Sequence, residues 1–530
     1  MKKAIAILLI NALVAAAVAA ERYEANWDSL RQHENPQWAV DAKFGIYAHW
    51  GPYSVAGGWR DVGNINWGNY YVTIQEGIYN SSSQEARRKA FEKRYGSITN
   101  GAGYKELCAD FKPVKFDPEY WADLIEKSGA KYAGICGIHH DGFAMWDSKL
   151  TDFCATKIGP KRDLLGDILA AIRKRGIKTM VSFHHERTER MYNGLISGLK
   201  KNSVKGVDIL NPDYTDLYWF LGGKERFEKN RIALTEEVID KYKPDVLWFD
   251  GGAQGEASEQ ILAHYFNMAQ NAGKEVCVHN KGNFENNFGI YSFENGAFRP
   301  QFVPWPWEDD TPSAIGWCDW PWWWGLEYKK PRDVIVRLVD LVARNGGLLL
   351  SLNPRPDGTL DQGQIDLLLG IGGWLKQNGE SVYGTRPWTI YAEGHFEPLP
   401  LVQIHPVTGA KGRASQPDTS KFDTSDIRFV TKGNTLYATQ LVPPTNGVTV
   451  IRSLGQQMKV SEANKITAVE LLGHGSVKFI RKSDRLEITL PEQLPNPWAL
   501  AFKITVEGEL AQRQPLPLGT EVPYAKRSKK

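Results

Sequence analysis

The chain has 530 residues, with 64 Lys plus Arg against 61 Asp plus Glu and 42% hydrophobic residues. This composition excludes a chain that is disordered throughout, and the near balance of charge gives no electrostatic case for a nucleic-acid partner. Aromatic residues make up 12%, with 19 Trp, a load that suits stacking on sugar rings and equally suits a large core.

The chain opens with Lys2 and Lys3, an apolar run from Ala4 to Leu13, and the small-residue site Ala17-Val18-Ala19. That order predicts an export signal over residues 1–20 and a mature protein that is periplasmic or extracellular. No later apolar run approaches the ~18 residues of a membrane span, so no membrane insertion is expected after cleavage. The five cysteines (108, 136, 154, 277 and 318) are odd in number and match no zinc spacing, which predicts at least one free thiol and no disulfide frame.

From residue 43, short apolar runs alternate with amphipathic stretches. The runs are Lys43–His49, Lys131–His139, Lys178–His184, Asp245–Asp250, Glu275–Asn280, Gly289–Glu294, Ser313–Cys318 and Gly347–Asn353. Each has the length and content of a buried parallel strand. Helices are predicted over Asp117–Ser128, Asp163–Arg175, Arg226–Tyr242, Pro331–Arg344 and Asp361–Lys376; the first has an Asp cap and Pro in its first turn. Eight strands with helices between them predict a (β/α)8 TIM-like barrel over residues 21–390. After Trp388 the helical period fades, and short alternating runs between Ile427 and Val506 predict a C-terminal antiparallel β-sandwich over residues 391–512. A basic, Pro-containing tail follows at 513–530.

Polar residues cluster at the C-terminal ends of the predicted strands, the face on which such barrels build their sites. The segment IHHDGFAMWDS (Ile138–Ser148) brings His139, His140, Asp141 and Trp146 off one strand. It reads as hydrogen bonding to sugar hydroxyls with Trp146 stacked on an apolar ring face, as metal ligation, or as one satisfied core His beside an exposed one. Alternation along a strand argues against His139 and His140 sharing one ion. Asp250 ends the apolar run VLWFD and precedes two glycines; a carboxylate there is costly unless paired or functional, and it is the first candidate nucleophile. Helix capping is the plainer reading. A glycosidase needs a second carboxyl group across the scissile bond. Glu294, at the end of IYSFE, is the favoured acid/base; Glu308, in the Pro- and Trp-rich segment WPWED that reads as a loop, is the alternative.

With these residues in view, the chain resembles glycoside hydrolase family 29, the retaining α-L-fucosidases. KFGIYAHWGPYSV (Lys43–Val55), the stretch Phe111–Phe153, DVLWFDGG (Asp245–Gly252), RNGGLLLSLNPRPDG (Arg344–Gly358) and WLKQNGESVYGTRPW (Trp374–Trp388) are similar to its motifs, in order. The resemblance implies an exo-acting enzyme in which Asp250 attacks the anomeric carbon of a terminal α-L-fucosyl unit and a covalent glycosyl-aspartate forms. It implies that His49, His139, His140 and Trp50 hold hydroxyls or frame the pocket, with His184 or His185 at the third-strand contact position. Trp67, in NINWGNYY (Asn64–Tyr71), lies where many members carry an acid before Trp; here Asn66 stands there. The implied partner is a fucosylated or related L-sugar glycan, with no metal and no organic cofactor. The other readings are an α-L-galactosidase or sulfated-fucoside hydrolase on the same scaffold, a non-catalytic carbohydrate-binding barrel, and a metal-dependent hydrolase. The oligomeric state is open, a homo-oligomer included.

Overall fold

The computed structural model describes residues 22–60, 85–186, 188–281, 288–295, 305–316, 319–395 and 418–510. The export signal, Trp67 with its segment, Cys318 and the basic tail lie outside the described residues.

Eight parallel strands close a barrel in sequence order: β1 (Phe44–Ala48), β2 (Tyr132–Ile138), β3 (Lys178–Phe183), β4 (Val246–Phe249), β5 (Cys277–Lys281), β6 (Ile290–Glu294), β7 (Trp307–Pro312) and β8 (Gly346–Leu352). Pairing of β1 with β8, from Phe44 against Leu348 to Ala48 against Leu352, closes the ring. Helices Pro118–Ser128, Leu164–Lys174, Lys224–Tyr242, Gly255–Asn271, Pro331–Ala343 and Gln362–Asn378 form the outer layer. Asp117 caps the first of these by accepting from the backbone N–H of Glu119 and Tyr120. Both faces of most strands are covered, which is why their sequences are runs of Val, Ile, Leu and small residues rather than alternating patterns.

The seventh strand departs from expectation. It is Trp307–Pro312 (WEDDTP), not the Ser313–Cys318 run, so Glu308 lies in a strand and not in a loop. Three consecutive acids conceal it from any hydrophobic criterion. They are tolerated because each has its own partner: Glu308 and Asp310 point into the barrel, while Asp309 points out to Arg337 of the helix Pro331–Ala343, which donates to it at 2.6 Å.

Beyond the barrel, β9 (Arg386–Glu393), β10 (Ile427–Lys432), β11 (Thr435–Gln440), β12 (Val448–Ile451), β13 (Lys465–Leu471), β14 (Gly475–Ser476), β15 (Phe479–Arg481), β16 (Leu486–Thr489) and β17 (Leu500–Glu507) make two antiparallel sheets. Their orders are β14-β13-β17-β11-β10-β9 and β12-β16-β15. Trp388, Phe429, Leu436, Ile488 and Phe502 belong to the apolar core they share. The expected division after residue 390 falls inside β9. The sheets are fastened to the barrel by a buried ionic group. Arg428 on β10 donates to Asp340 at 2.6 Å, and Asp340 also accepts from Arg344 at 3.0 Å. Burial opposes ionisation of Asp340, yet the two guanidiniums hold its carboxyl far below the usual carboxylate range. Trp374 adds a hydrogen bond from its indole to the Ala499 carbonyl at 3.0 Å.

Most of the described tryptophans are core residues; Trp324 stands out at 38% exposed. The described cysteines 108, 136, 154 and 277 are buried free thiols. No described helix is long and apolar enough to cross a membrane.

Candidate active site

Three of the polar strand ends are fixed by one more ladder bond to the neighbouring strand. The backbone N–H of His49 donates to Leu352, that of His184 to Ile138, and that of Asp250 to Phe183. Their side chains therefore stand at the C-terminal mouth of the barrel. His139 and His140 follow β2 and are no longer in strand geometry, so the alternation argument that separated them does not hold. Their rings lie 4.6 Å apart, nearly perpendicular, and the His140 N–H donates to Nδ1 of His139 at 2.8 Å. His139 stacks on His184 with centroids 4.2 Å apart, and His49 meets His184 edge-on at 4.9 Å.

Each imidazole is oriented through Nδ1: His49 by the Ser351 hydroxyl at 2.8 Å, His140 by that of Thr188 at 3.1 Å, and His184 by Sγ of Cys136 at 3.3 Å. Burial pushes His49 and His139 well below the ordinary histidine value, reinforced by Lys281 at His49 and by His184 at His139. Neutral imidazoles both donate and accept, as sugar hydroxyls require. His49, His139 and His184 also bring ring nitrogens within 4.8 Å of one another, a donor set that a metal could use. The neighbouring Lys281 ammonium opposes a second cation in that cavity.

Lys281 organises the carboxylates. Its Nζ lies 3.2 Å from Asp250, 3.3 Å from Glu294 and 3.5 Å from Asp310, over the faces of Trp248 and Trp320 at 5.1 and 5.5 Å. The two contacts together limit the separation of the Asp250 and Glu294 oxygens. That limit admits the ~5–5.5 Å of retaining glycosidases and touches only the lower edge of the ~6.5–9.5 Å of inverting ones. Asp250 is buried, with Nε2 of His140 3.7 Å away, while the Glu294 side chain is 35% exposed. Asn280 accepts from the Ala253 N–H at 3.0 Å and so fixes the turn that follows Asp250. Asp310 accepts from the Tyr47 hydroxyl at 2.8 Å; burial pushes it up to about 8 against the pull of Lys281.

Glu308 is elsewhere. It is the second residue of β7, at the N-terminal half of the barrel, and is level with Ser292, whereas Asp310 is level with Glu294. It accepts from Tyr132 at 2.6 Å and Trp248 at 3.1 Å and pairs with His279 at 3.0 Å. Burial favours its neutral form, but His279 outweighs that and holds it below the ordinary value; burial likewise pulls His279 down, and Glu308 raises it to about 10. A carboxylate so enclosed braces the barrel interior and does not meet a scissile bond at the mouth.

The structure separates other candidates as well. Trp146 lies between barrel and outer layer, its indole donating to Glu237 of the helix Lys224–Tyr242 at 2.8 Å, and not on a sugar face. Trp50 is fully buried against Phe111, Phe116 and Trp121 and donates to the Arg355 carbonyl at 2.9 Å; it backs the first-strand loop. His185 turns outward to Thr235 at 3.3 Å, leaving His184 as the third-strand residue at the mouth. Asp141 accepts from the Tyr104 hydroxyl at 2.8 Å, and burial raises it to about 7. Of the aromatic segment before Gly325, Trp320 lies 4.9 Å from His49, and Asn353 holds its loop by donating to Asp319 at 2.6 Å. Trp322 and Trp323 are tied instead to Asp361 and Asp319.

Sequence reasoning missed Lys281, Trp248, Asp310 and Trp320. Two signals were available: Trp248 is two residues before Asp250 and so shares its face, and Lys281 immediately follows the strand-end residue Asn280.

Comparison with known proteins bears on this geometry. The family model for α-L-fucosidase matches residues 10–380, and that for the α-L-fucosidase C-terminal domain matches residues 416–505. Mouse tissue α-L-fucosidase is 27% identical over 508 residues, covering 93% of this chain and 96% of its own. The α-L-fucosidase of Dictyostelium discoideum is 25% identical, covering 72% and 79%. The Thermotoga maritima α-fucosidase in complex with fucose superposes with a TM-score of 0.67 at 26% identity, covering 91% of this chain and 100% of that one.

Proposed function

Because the chain belongs to the α-L-fucosidase family and is thus a glycoside hydrolase, we propose that it is an exported, retaining exo-α-L-fucosidase that cleaves terminal α-L-fucosyl units. In this reading Asp250 attacks the anomeric carbon and forms a covalent glycosyl-aspartate, and Glu294 protonates the departing oxygen and then activates water. His49, His139, His140 and His184 exchange hydrogen bonds with the ring hydroxyls, and Trp248 and Trp320 supply apolar walls of the kind a 6-deoxy sugar favours.

The observation that carries the proposal is the meeting of Asp250 and Glu294 on one ammonium, 3.2 and 3.3 Å away, beside a wall of neutral imidazoles. Such a short separation leaves room for a sugar carbon between the carboxylates but little for an intervening water. The test is release of 4-nitrophenol from 4-nitrophenyl α-L-fucoside, with the anomer first formed identified by NMR. The expected result is initial α-L-fucose from the wild type and nearly no turnover by folded Asp250→Ala. Initial β-L-fucose, or full activity of Asp250→Ala, refutes the mechanism. Faster cleavage of the matching α-L-galactoside would reassign the sugar.

A further inference from the structure

β7 places a third carboxyl group beside the two that the proposed reaction uses. Asp310 is level with Glu294 across the β6–β7 pair, and its side chain is fully enclosed. One of its oxygens accepts from the Tyr47 hydroxyl at 2.8 Å, and the other faces Nζ of Lys281 at 3.5 Å. Tyr47 precedes His49 by two residues along β1 and so shares its face. Its ring lies 5.0 Å from His49 and 5.8 Å from Trp248, so the Tyr47–Asp310 pair backs the pocket from within the barrel. On the other neighbouring strand, Leu349 is level with Asp310 and brings no charge.

One ammonium thus serves three carboxyl groups. Three carboxylates around it would leave two uncompensated charges at a largely buried point, which is costly. Asp310 is the one suited to hold a proton. It is the most deeply enclosed of the three, its contact with Lys281 is the longest, and among the described residues no other cation pairs with it. Burial is the main influence and pushes it up to about 8; Glu294 and Glu308 act in the same direction, while Lys281 and Tyr47 act against it. Lys329, buried beyond the end of β7, feels its charge at longer range. A neutral carboxyl is a weaker acceptor than a carboxylate, so Asp310 can steady Lys281 without drawing it away from Asp250 and Glu294.

The proposed reaction needs that restraint. In its first step an Asp250 oxygen bonds to the anomeric carbon, the bond to the leaving oxygen breaks, and the Glu294 proton passes to that oxygen. Negative charge therefore leaves Asp250, now an ester, and appears on Glu294; the second step returns it. Lys281 has one anionic neighbour before and after each step only if it stays between the two. Its flexible four-carbon stem does not fix that position by itself.

We propose that Asp310, oriented by Tyr47, is a positioning residue for this reaction: it holds the Lys281 ammonium between Asp250 and Glu294 while charge passes from one to the other. The proposal rests on the fucosidase reading above. As pH rises through about 8, Asp310 ionises and competes for the ammonium, and the rate falls.

The experiment measures the pH dependence of kcat and kcat/KM on 4-nitrophenyl α-L-fucoside. Wild type, Asp310→Asn, Asp310→Ala, Lys281→Met and the double variant Asp310→Ala/Lys281→Met are compared, each checked for folding by near-ultraviolet circular dichroism. The leaving group of this aryl fucoside needs little protonation, so the alkaline limb of kcat/KM carries little contribution from Glu294. Asp310→Asn keeps a neutral acceptor that cannot ionise, and its alkaline limb is expected about one pH unit or more above that of the wild type. Asp310→Ala is expected to lower kcat and kcat/KM together by about tenfold with KM little changed, and to cost less than about twofold when Lys281 is already Met. An alkaline limb that stays in place in Asp310→Asn, or an Asp310→Ala loss of equal size with and without Lys281, overturns the proposal. If Asp310→Ala does not fold, the limb of Asp310→Asn decides alone. Failure of the fucosidase reading looks different, because the wild type then releases no nitrophenol at any pH. In that event infrared difference spectra decide. A protonated-carboxyl band that Asp310→Asn removes and Lys281→Met shifts supports the coupling of the two residues; a band that is absent, or unmoved in Lys281→Met, overturns it.

Discussion

Lys281 is the residue whose removal most directly tests the charge arrangement of the site. Lys281→Met keeps the length and apolar stem of the side chain and deletes the ammonium. At 3.2 Å and an effective dielectric of ~20, one ammonium stabilises one carboxylate by about 5 kcal/mol. Solvent screening at the mouth and the competing contacts of Glu294 and Asp310 with the same ammonium, also within 3.5 Å, reduce the net effect on Asp250. At 1.36 kcal/mol per tenfold change in protonation, a partial share corresponds to an upward displacement of about one to three pH units. The sign follows from the charge: an ammonium favours the ionised nucleophile, so its loss makes Asp250 harder to ionise. The acid limb of kcat/KM, which reports the free enzyme, should move to higher pH in Lys281→Met and stay in place in Lys281→Arg. The assay is the pH dependence of kcat/KM on the aryl fucoside, with near-ultraviolet circular dichroism to confirm that the variant is folded. A folded Lys281→Met whose acid limb coincides with that of the wild type would refute the claim that this ammonium holds the nucleophile ionised.

Other substitutions have separable outcomes. Glu294→Ala should lose about 10²–10⁴-fold on fucosyllactose and far less on the nitrophenyl substrate, whose leaving group needs little protonation, whereas Glu308→Gln should lower Tm without changing that leaving-group dependence; the reverse pattern would exchange their roles. His279 is raised to about 10 in the folded state, above the unfolded value near 6.5, so its protonated form stabilises the protein fully below about pH 6.5 and that contribution is lost as pH rises through about 10. The Tm difference between wild type and His279→Gln should accordingly shrink across that window, and a constant difference would contradict it. Asp340→Asn leaves Arg344 and Arg428 buried without their counter-ion, which should remove about 3–5 kcal/mol. With an unfolding entropy near 2.1 cal/mol/K per residue, that is about 3–5 °C for a cooperative unit of this size, and calorimetry showing a shift below 1 °C would refute it.

The barrel was legible because seven of its strands are buried on both faces and carry the apolar runs that such burial demands. The seventh stave was not, because Glu308, Asp309 and Asp310 are stabilised by side chains on other elements, which no local pattern can reveal. The same distinction separates the site residues. His49, His184, Asp250 and Glu294 stand at strand ends and could be located by strand period alone. The destinations of Trp50 and Trp146 depended on helix packing. Lys281 is invisible as a hub in sequence because its three carboxyl partners come from three different staves of the barrel.

The salt link and the indole bond between the C-terminal sheets and the helices Pro331–Ala343 and Gln362–Asn378 bear on how the enzyme can be handled. A truncation ending near residue 385 would strip cover from the most completely buried outer helix, remove Arg428 and leave Asp340 and Arg344 facing solvent, and orphan the Trp374 indole. The barrel is therefore not a portable catalytic cassette. Shuffling or minimisation of this scaffold should carry β9 through β17 along as an integral part of the expressed unit.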